Sequence, residues 1–241
     1  MSRELRRQYG TIESPWPDYA VYSFPDASRV SPNEQRALMD AMNNIIAVNW
    51  QATEPHWTAE SSPFDKKFSL ILVYDASGLI AFSVFRKLRI ADRPAIYRSG
   101  TEVLPAHQGR GLYRFFTKEV LKSSGAADSG ETGILYGWRT RNPIVWATNA
   151  GICEKVTPSL LADTQDAVLQ AACVEMCELL YPGKSLEVPG MIMRGAYGHI
   201  RHHRQVYRGA ASLVDAAMQR TIPDSADALF SVGLVRGNGA H

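Results

Sequence analysis

The chain has 241 residues, 45% of them apolar, and a formal net charge of +2. That length suits one large domain or a domain with an appendage, and the near balance of charge argues against bulk binding to nucleic acid or to a membrane surface. No apolar run approaches the ~18 residues that cross a bilayer, and no apolar core follows the basic start Met1–Gly10 as a secretory signal would require. The three cysteines, Cys153, Cys173 and Cys177, are an odd set in a chain long enough to bury its own core. A disulfide framework is therefore not expected, and a reducing cytoplasmic setting is.

Residues 1–17 read as a flexible arm ending in Pro15 and Pro17. Tyr19 to Phe24 reads as a first strand, stopped by Pro25-Asp26. Ser31-Pro32-Asn33-Glu34 predicts a helix start with Ser31 as N-cap, Pro32 in the first turn and Glu34 completing a capping box. The apolar stripe Leu38, Met39, Met42, Ile45, Ile46 and Val48 carries that helix to about Trp50. A polar, proline-broken stretch over 51–67 follows. Phe68–Tyr74 and Leu79–Leu88 are β-rich runs joined by Asp75-Ala-Ser-Gly78, a hairpin signal. Ala95–Leu104 is a third extended run, and a helix with Leu112, Phe115, Phe116, Val120 and Leu121 on one face comes after it. Ser123–Glu131 is a small-residue loop, Gly133–Trp138 a strand, and Thr140-Arg141-Asn142-Pro143 opens a helix to about Ala150. Beyond it, Thr164–Tyr181 is an amphipathic helix, Ser212–Gln219 another, and Ala228–Val235 a final strand. Cys173 and Cys177, spaced i,i+4 with no further ligand in metal spacing, are expected to be core thiols.

Between the third extended run and its helix lies Gln108-Gly109-Arg110-Gly111-Leu112-Tyr113. The first amides of a helix lack internal partners and sit at the positive end of its dipole, so they attract anions. Glycines there let a phosphate approach the backbone. No Gly-Lys-Ser/Thr ending is present, which excludes a P-loop, and the third glycine of the dinucleotide fingerprint is missing.

The string V-x-P-x-x-Q-G-x-G, here Val103, Pro105, Gln108, Gly109 and Gly111, resembles motif A of the GNAT superfamily of acyl-CoA-dependent N-acyltransferases. Asn142-Pro143, about 30 residues on, is similar to the family's start of the helix that closes over the pantetheine arm. The resemblance covers roughly Tyr19 to Thr157. It implies an α/β (α+β) fold: a mixed, mostly antiparallel central sheet with two splayed parallel strands (Ala95–Leu104 and Gly133–Arg139) and flanking helices. The expected organisation is a core over 18–158 and a C-terminal α/β extension over 159–241 packing on it. It also implies acetyl-CoA, or another acyl-CoA, as co-substrate, with Val103, Leu104, Gln108, Gly109, Arg110, Gly111, Leu112, Tyr113 and Asn142 at the coenzyme. Tyr113 departs from the family's usual small residue.

An alkylammonium nucleophile near pKa ~10.4 must lose a proton, either to a base or through desolvation in an apolar pocket. Where several relatives place a catalytic Glu this chain has Tyr97, and where many place a Tyr that protonates the thiolate it has Asn149. Glu102 lies on the same strand, facing away from Tyr97 and sharing a face with Arg98, its expected ion-pair partner. Glu102, Tyr97 and Tyr136 are the candidate catalytic groups. Trp50, His56, Trp57 and Trp146 are candidates for an acceptor pocket. His199, Arg201, His202, His203 and Arg204 match no zinc spacing and read as a solvated basic surface that touches the coenzyme's 3′-phosphate; no metal is expected. The reading is acetyl transfer to an amine of a small molecule by direct attack in a ternary complex, with no nucleic-acid or membrane partner and a homodimer left open. The alternative, motivated by Tyr97 and Asn149, is a non-catalytic acyl-CoA-binding sensor or scaffold.

Overall fold

A computed structural model describes residues 11–52, 54–125, 132–162, 165–197, 200–202 and 208–236. Residues 1–10 of the expected arm, Thr164, most of the Ser123–Glu131 loop, and His199, His203 and Arg204 of the basic run lie outside them. Two compact units result: Met1–Lys87 with Arg98–Ser123, and Leu88–Tyr97 with Ser124–His241.

In the first unit β1 (Thr11–Ile12) pairs antiparallel with β2 (Ala20–Phe24), Thr11 opposite Tyr22. Thr11 and Ile12, within the expected arm, thus form a strand. It continues into Trp16, whose ring packs edge-on against Phe115 at 5.3 Å. Helix α1 (Pro32–Asn49) starts where Ser31 and Pro32 predict. The capping box is altered, however. Ser31 Oγ donates to Glu34 Oε2 at 2.7 Å instead of accepting from an amide, and the Ser31 carbonyl takes the Glu34 and Gln35 amides. The buried face of α1 is Leu38, Met42, Ile45 and Ile46, and it also carries Asn49.

After β3 (Trp50–Ala52) come β4 (Phe68–Asp75) and β5 (Gly78–Ile90), antiparallel with Asp75 opposite Gly78. Asp75 Oδ1 accepts from Ser77 N, Ser77 Oγ and Gly78 N at 2.7, 2.6 and 3.2 Å, which locks the turn that the sequence marks. β6 (Arg93–Val103) and helix α2 (Leu112–Ser123) follow. Neighbouring strands run in the order β1, β2, β4, β5, β6. Their apolar side chains, among them Phe24, Leu70, Leu72 and Phe82, form one core with Met42 and Ile45 of α1.

The second unit holds β7 (Ile134–Thr140), α3 (Pro143–Ala150), β8 (Lys155–Thr157), α4 (Ala167–Leu180), β9 (Ile192–Met193), β10 (Ile200–His202), α5 (Ala210–Thr221) and β11 (Ala228–Val235). β11 is the centre of this unit. It pairs antiparallel with β7, from Leu229 opposite Thr140 to Val235 opposite Ile134, and on its other side with β8 and β9. All eight of its residues are buried, which explains why it reads as a continuous apolar run. The α4 face Leu169, Ala172, Cys173, Met176 and Cys177 packs with Phe230, Val232 and Leu234, so both cysteines are core thiols as expected. Over both units the strands are mostly antiparallel, with β6 and β7 the parallel pair and helices flanking the sheet, which is the expected fold class.

One glycine of β11 is fixed by a close approach. A Cβ on Gly233 would clash with Cys153 Sγ and lie 3.0 Å from the Lys155 carbonyl oxygen, because β8 crosses there. Gly233→Ala is expected to cost about 2 kcal/mol through overpacking. A thermal melt checks this, with Tm lowered by roughly 4–8 °C.

Candidate functional site

The loop between β6 and α2 has the conformation that its glycines allow. Leu104 N donates to Ile80 O at 2.9 Å, holding the chain as it leaves the strand, and Pro105–His107 make one 3-10 turn. Gly109 (φ 76°) and Gly111 (φ 83°) then adopt left-handed backbone, and a Cβ built on either meets nothing within 4 Å. Glycine is required there by the backbone, and the space beside the loop is open. Gln108 turns its side chain back: Nε2 donates to Val103 O at 3.0 Å, tying loop to strand. Leu112, only 2% exposed, seats the helix start in the core. Tyr113 is half-buried with the Arg98 guanidinium over its ring at 5.3 Å, which gives this unexpected ring a place against β6. Arg110 Nη1 donates to the Tyr19 hydroxyl at 2.7 Å.

One turn before the loop, Glu102, the penultimate residue of β6, carries an enclosed carboxylate. Asn49 Nδ2 donates to Oε2 at 2.6 Å and Trp50 Nε1 to Oε1 at 2.8 Å. Asn49 also donates to the Val103 carbonyl at 3.0 Å, so the end of α1 grips the end of β6. Burial pushes the Glu102 pKa from its ordinary 4.5 to about 7, opposed by the Asn49 and Trp50 hydrogen bonds and by the Arg98 charge. The two carboxylate oxygens are thus held by side chains from α1 and β3, with the Arg98 charge acting on them as well.

The aromatic candidates separate on burial. Trp50 is committed to Glu102 through its indole N–H. Trp57 is 6% exposed and part of the core, its backbone held by Asn43 through bonds of 2.8 and 3.0 Å. Its ring lies against Gly100, where a Cβ would be 3.2 Å from Cζ2. Gly100 and Glu102 share a face of β6, so the Trp57 ring borders the face that carries the carboxylate. His56 is exposed and stands edge-on to Trp57, ring centroids 4.7 Å apart.

In the second unit Tyr97 is buried, stacked on Phe230 at 5.6 Å, and its hydroxyl shares a 2.7 Å hydrogen bond with Tyr181. Burial, with Tyr181 beside it, raises the Tyr97 pKa well above its ordinary value, so this hydroxyl stays neutral. Tyr136 is fully buried and donates to Asn149 Oδ1 at 3.2 Å. Asn149 is the position at which the resemblance leads one to expect a tyrosine. Trp146, 4% exposed, lies on the buried side of α3. Asn142 caps that helix, Oδ1 accepting from Ile144 N at 2.9 Å and Val145 N at 3.4 Å, with Pro143 in the first turn. Asn142→Ala is expected to lower stability by about 1 kcal/mol, read as a shift in the urea midpoint with an unchanged slope.

Asn49, Tyr19, His107 and Asp75 belong to this first-unit cluster without having been singled out in the sequence. Asn49 had a readable signal: it continues the buried spacing 38, 42, 45, 46, 49 as a polar residue on an apolar face. His107 directly precedes the loop in the chain, whereas Tyr19 and Asp75 are brought to it by tertiary contacts. Among the described residues no group of three or more His, Cys, Asp or Glu could hold a metal ion, and no helix is long and apolar enough to cross a membrane.

No protein-family model and no curated protein matches the sequence. Solved structures with a similar chain trace include Escherichia coli ElaA, 12% identical over 62% of this chain and 94% of that one, with a TM-score of 0.42. The ribosomal-protein-S18-alanine N-acetyltransferase of Escherichia coli is 13% identical over 58% of this chain and 81% of its own, with a TM-score of 0.39. An aminoglycoside acetyltransferase from an uncultured soil metagenomic sample is 21% identical over 49% and 78%, with a TM-score of 0.36.

Proposed function

We propose that the chain is an acyl-CoA-dependent N-acyltransferase of the GNAT superfamily, moving an acetyl group from acetyl-CoA to an amine of a small molecule. The observation that carries this is the loop itself: two left-handed glycines opening a helix, open space beside them, one turn beyond an enclosed carboxylate near the end of a strand. The residues fit a diphosphate. The amides of Gly109 to Tyr113 lie at the positive end of α2, and no side chain at 109 or 111 obstructs them.

Glu102 is assigned as the base. Its carboxylate, with a pKa of about 7, is poised to take a proton from an ammonium at neutral pH. The freed amine nitrogen attacks the thioester carbonyl carbon, the C–S bond breaks, the nitrogen gives its second proton to solvent, and the departing thiolate takes a proton from solvent. The indoles of Trp50 and Trp57, at the carboxylate and beside it, suit an organic cation, and His56 stands at the exposed edge.

Titrating acetyl-CoA into the protein in a calorimeter tests the reading. Saturation at one equivalent per chain, in the micromolar range, is expected; no saturation at millimolar acetyl-CoA overturns it.

A further inference from the structure

Asp75, His107, Tyr19 and Arg110 form a continuous line of polar contacts in the first unit. Arg110 Nη1 donates to the Tyr19 hydroxyl at 2.7 Å, and its guanidinium also lies 5.7 Å from the centre of the Tyr19 ring. The Tyr19 oxygen is 2.7 Å from His107 Nδ1. His107 Nε2 faces Asp75 Oδ2 at 3.5 Å. A guanidinium only donates, so the Tyr19 oxygen accepts from Arg110, and the same oxygen shares a hydrogen bond with His107 Nδ1.

The line is anchored at both ends. Asp75 keeps its second oxygen in the β4–β5 turn, taking three donors from Ser77 and Gly78, and those bonds hold its pKa below the ordinary value, so it remains an anion. Tyr19 is 6% exposed, and its ring tilts against Trp16 at 5.8 Å. Trp16 in turn packs on Phe115 of α2, the helix that the glycine loop opens. The phenol is therefore tied to the element that it serves.

We propose that Tyr19 is a positioning residue for Arg110, and that the His107–Asp75 pair behind it directs the Tyr19 lone pair at the guanidinium, so that Arg110 meets a diphosphate already ordered. This rests on the coenzyme reading of the loop. Arginine is an exposed, rotamer-rich side chain, and ordering it before binding removes an entropic cost that would otherwise fall on the ligand. The guanidinium keeps further N–H groups beyond the one given to Tyr19, so one bond to the phenol leaves donors for phosphate oxygens.

Tyr19→Phe keeps the ring, the Trp16 packing and the stacking on Arg110, and removes only the hydroxyl. It is expected to weaken CoA binding by about 3- to 10-fold in calorimetry. In the Arg110→Ala background the same change is expected to have no further effect. With acetyl-pantetheine, which lacks the diphosphate, Tyr19→Phe should leave kcat/KM unchanged, and with acetyl-CoA it should raise KM at constant kcat. A Tyr19→Phe loss that persists in Arg110→Ala, or that is equal for acetyl-pantetheine, overturns the assignment as merely structural; so does unaltered CoA affinity. Wild-type protein that binds no CoA overturns the coenzyme reading first and this inference with it.

Discussion

Gly111→Glu is expected to abolish acetyl-CoA binding, weakening it at least ~100-fold. Two effects add. At φ 83° a side chain is strained by about 1–2 kcal/mol whatever the space around it. The open region next to its Cβ position is the region assigned to the diphosphate, so a glutamate puts its carboxylate where the ligand's own negative charge is to sit. Gly111→Ala separates the two, because it brings the strain without the charge and is expected to lose only about 10-fold. Calorimetry measures both variants. A Gly111→Glu protein with wild-type affinity and an unchanged thermal melt would remove the loop from the binding site.

Glu102→Gln is expected to lower kcat by about 10²- to 10³-fold, the usual contribution of a positioned base. Wild-type activity should rise with pH through about 7 as the carboxylate ionises, and the variant should lack that rise. A second readout needs no substrate. The folded-state pKa is raised from 4.5 to about 7, so the folded protein holds a proton that the unfolded chain has released. The stability from this group is complete below about 4.5 and is lost as pH rises through 7. Its size is about 3 kcal/mol at the exchange of 1.36 kcal/mol per pKa unit. Urea titrations at pH 4.5 and pH 8 should show that decline in the wild type and not in Glu102→Gln. Equal declines in the two would mean that the carboxylate titrates normally.

What was legible in the sequence was local. Ser31-Pro32, Asp75–Gly78, Asn142-Pro143 and the two loop glycines each act on backbone within a few residues, and each marks the turn or helix start found there. The buried faces of α1 and α2 follow largely from their periodicity, although Val48, counted in the α1 stripe, is exposed. What was not legible depends on partners far apart in the chain. Asn49 and Trp50 reach Glu102 across 53 and 52 positions, and Tyr19 reaches Arg110 across 91. No spacing rule connects residues at those separations. The place of β11 was hidden for the same reason. Its composition shows a buried strand, while its neighbours β7, β8 and β9 are set by tertiary pairing. The short strand β1 was not legible because two residues are too few to show a period.

The central claim is that this chain transfers an acyl group from CoA to an amine. Incubating the wild-type protein with acetyl-CoA and a mixed panel of small amines, while following free thiol with a thiol-reactive dye, tests it most directly. Thiol release that depends on an amine, matched mole for mole by acetylated product in mass spectrometry and lost in Gly111→Glu, is the expected result. Acetyl-CoA binding with no amine-dependent thiol release across the panel would contradict catalysis and leave a binding protein in its place.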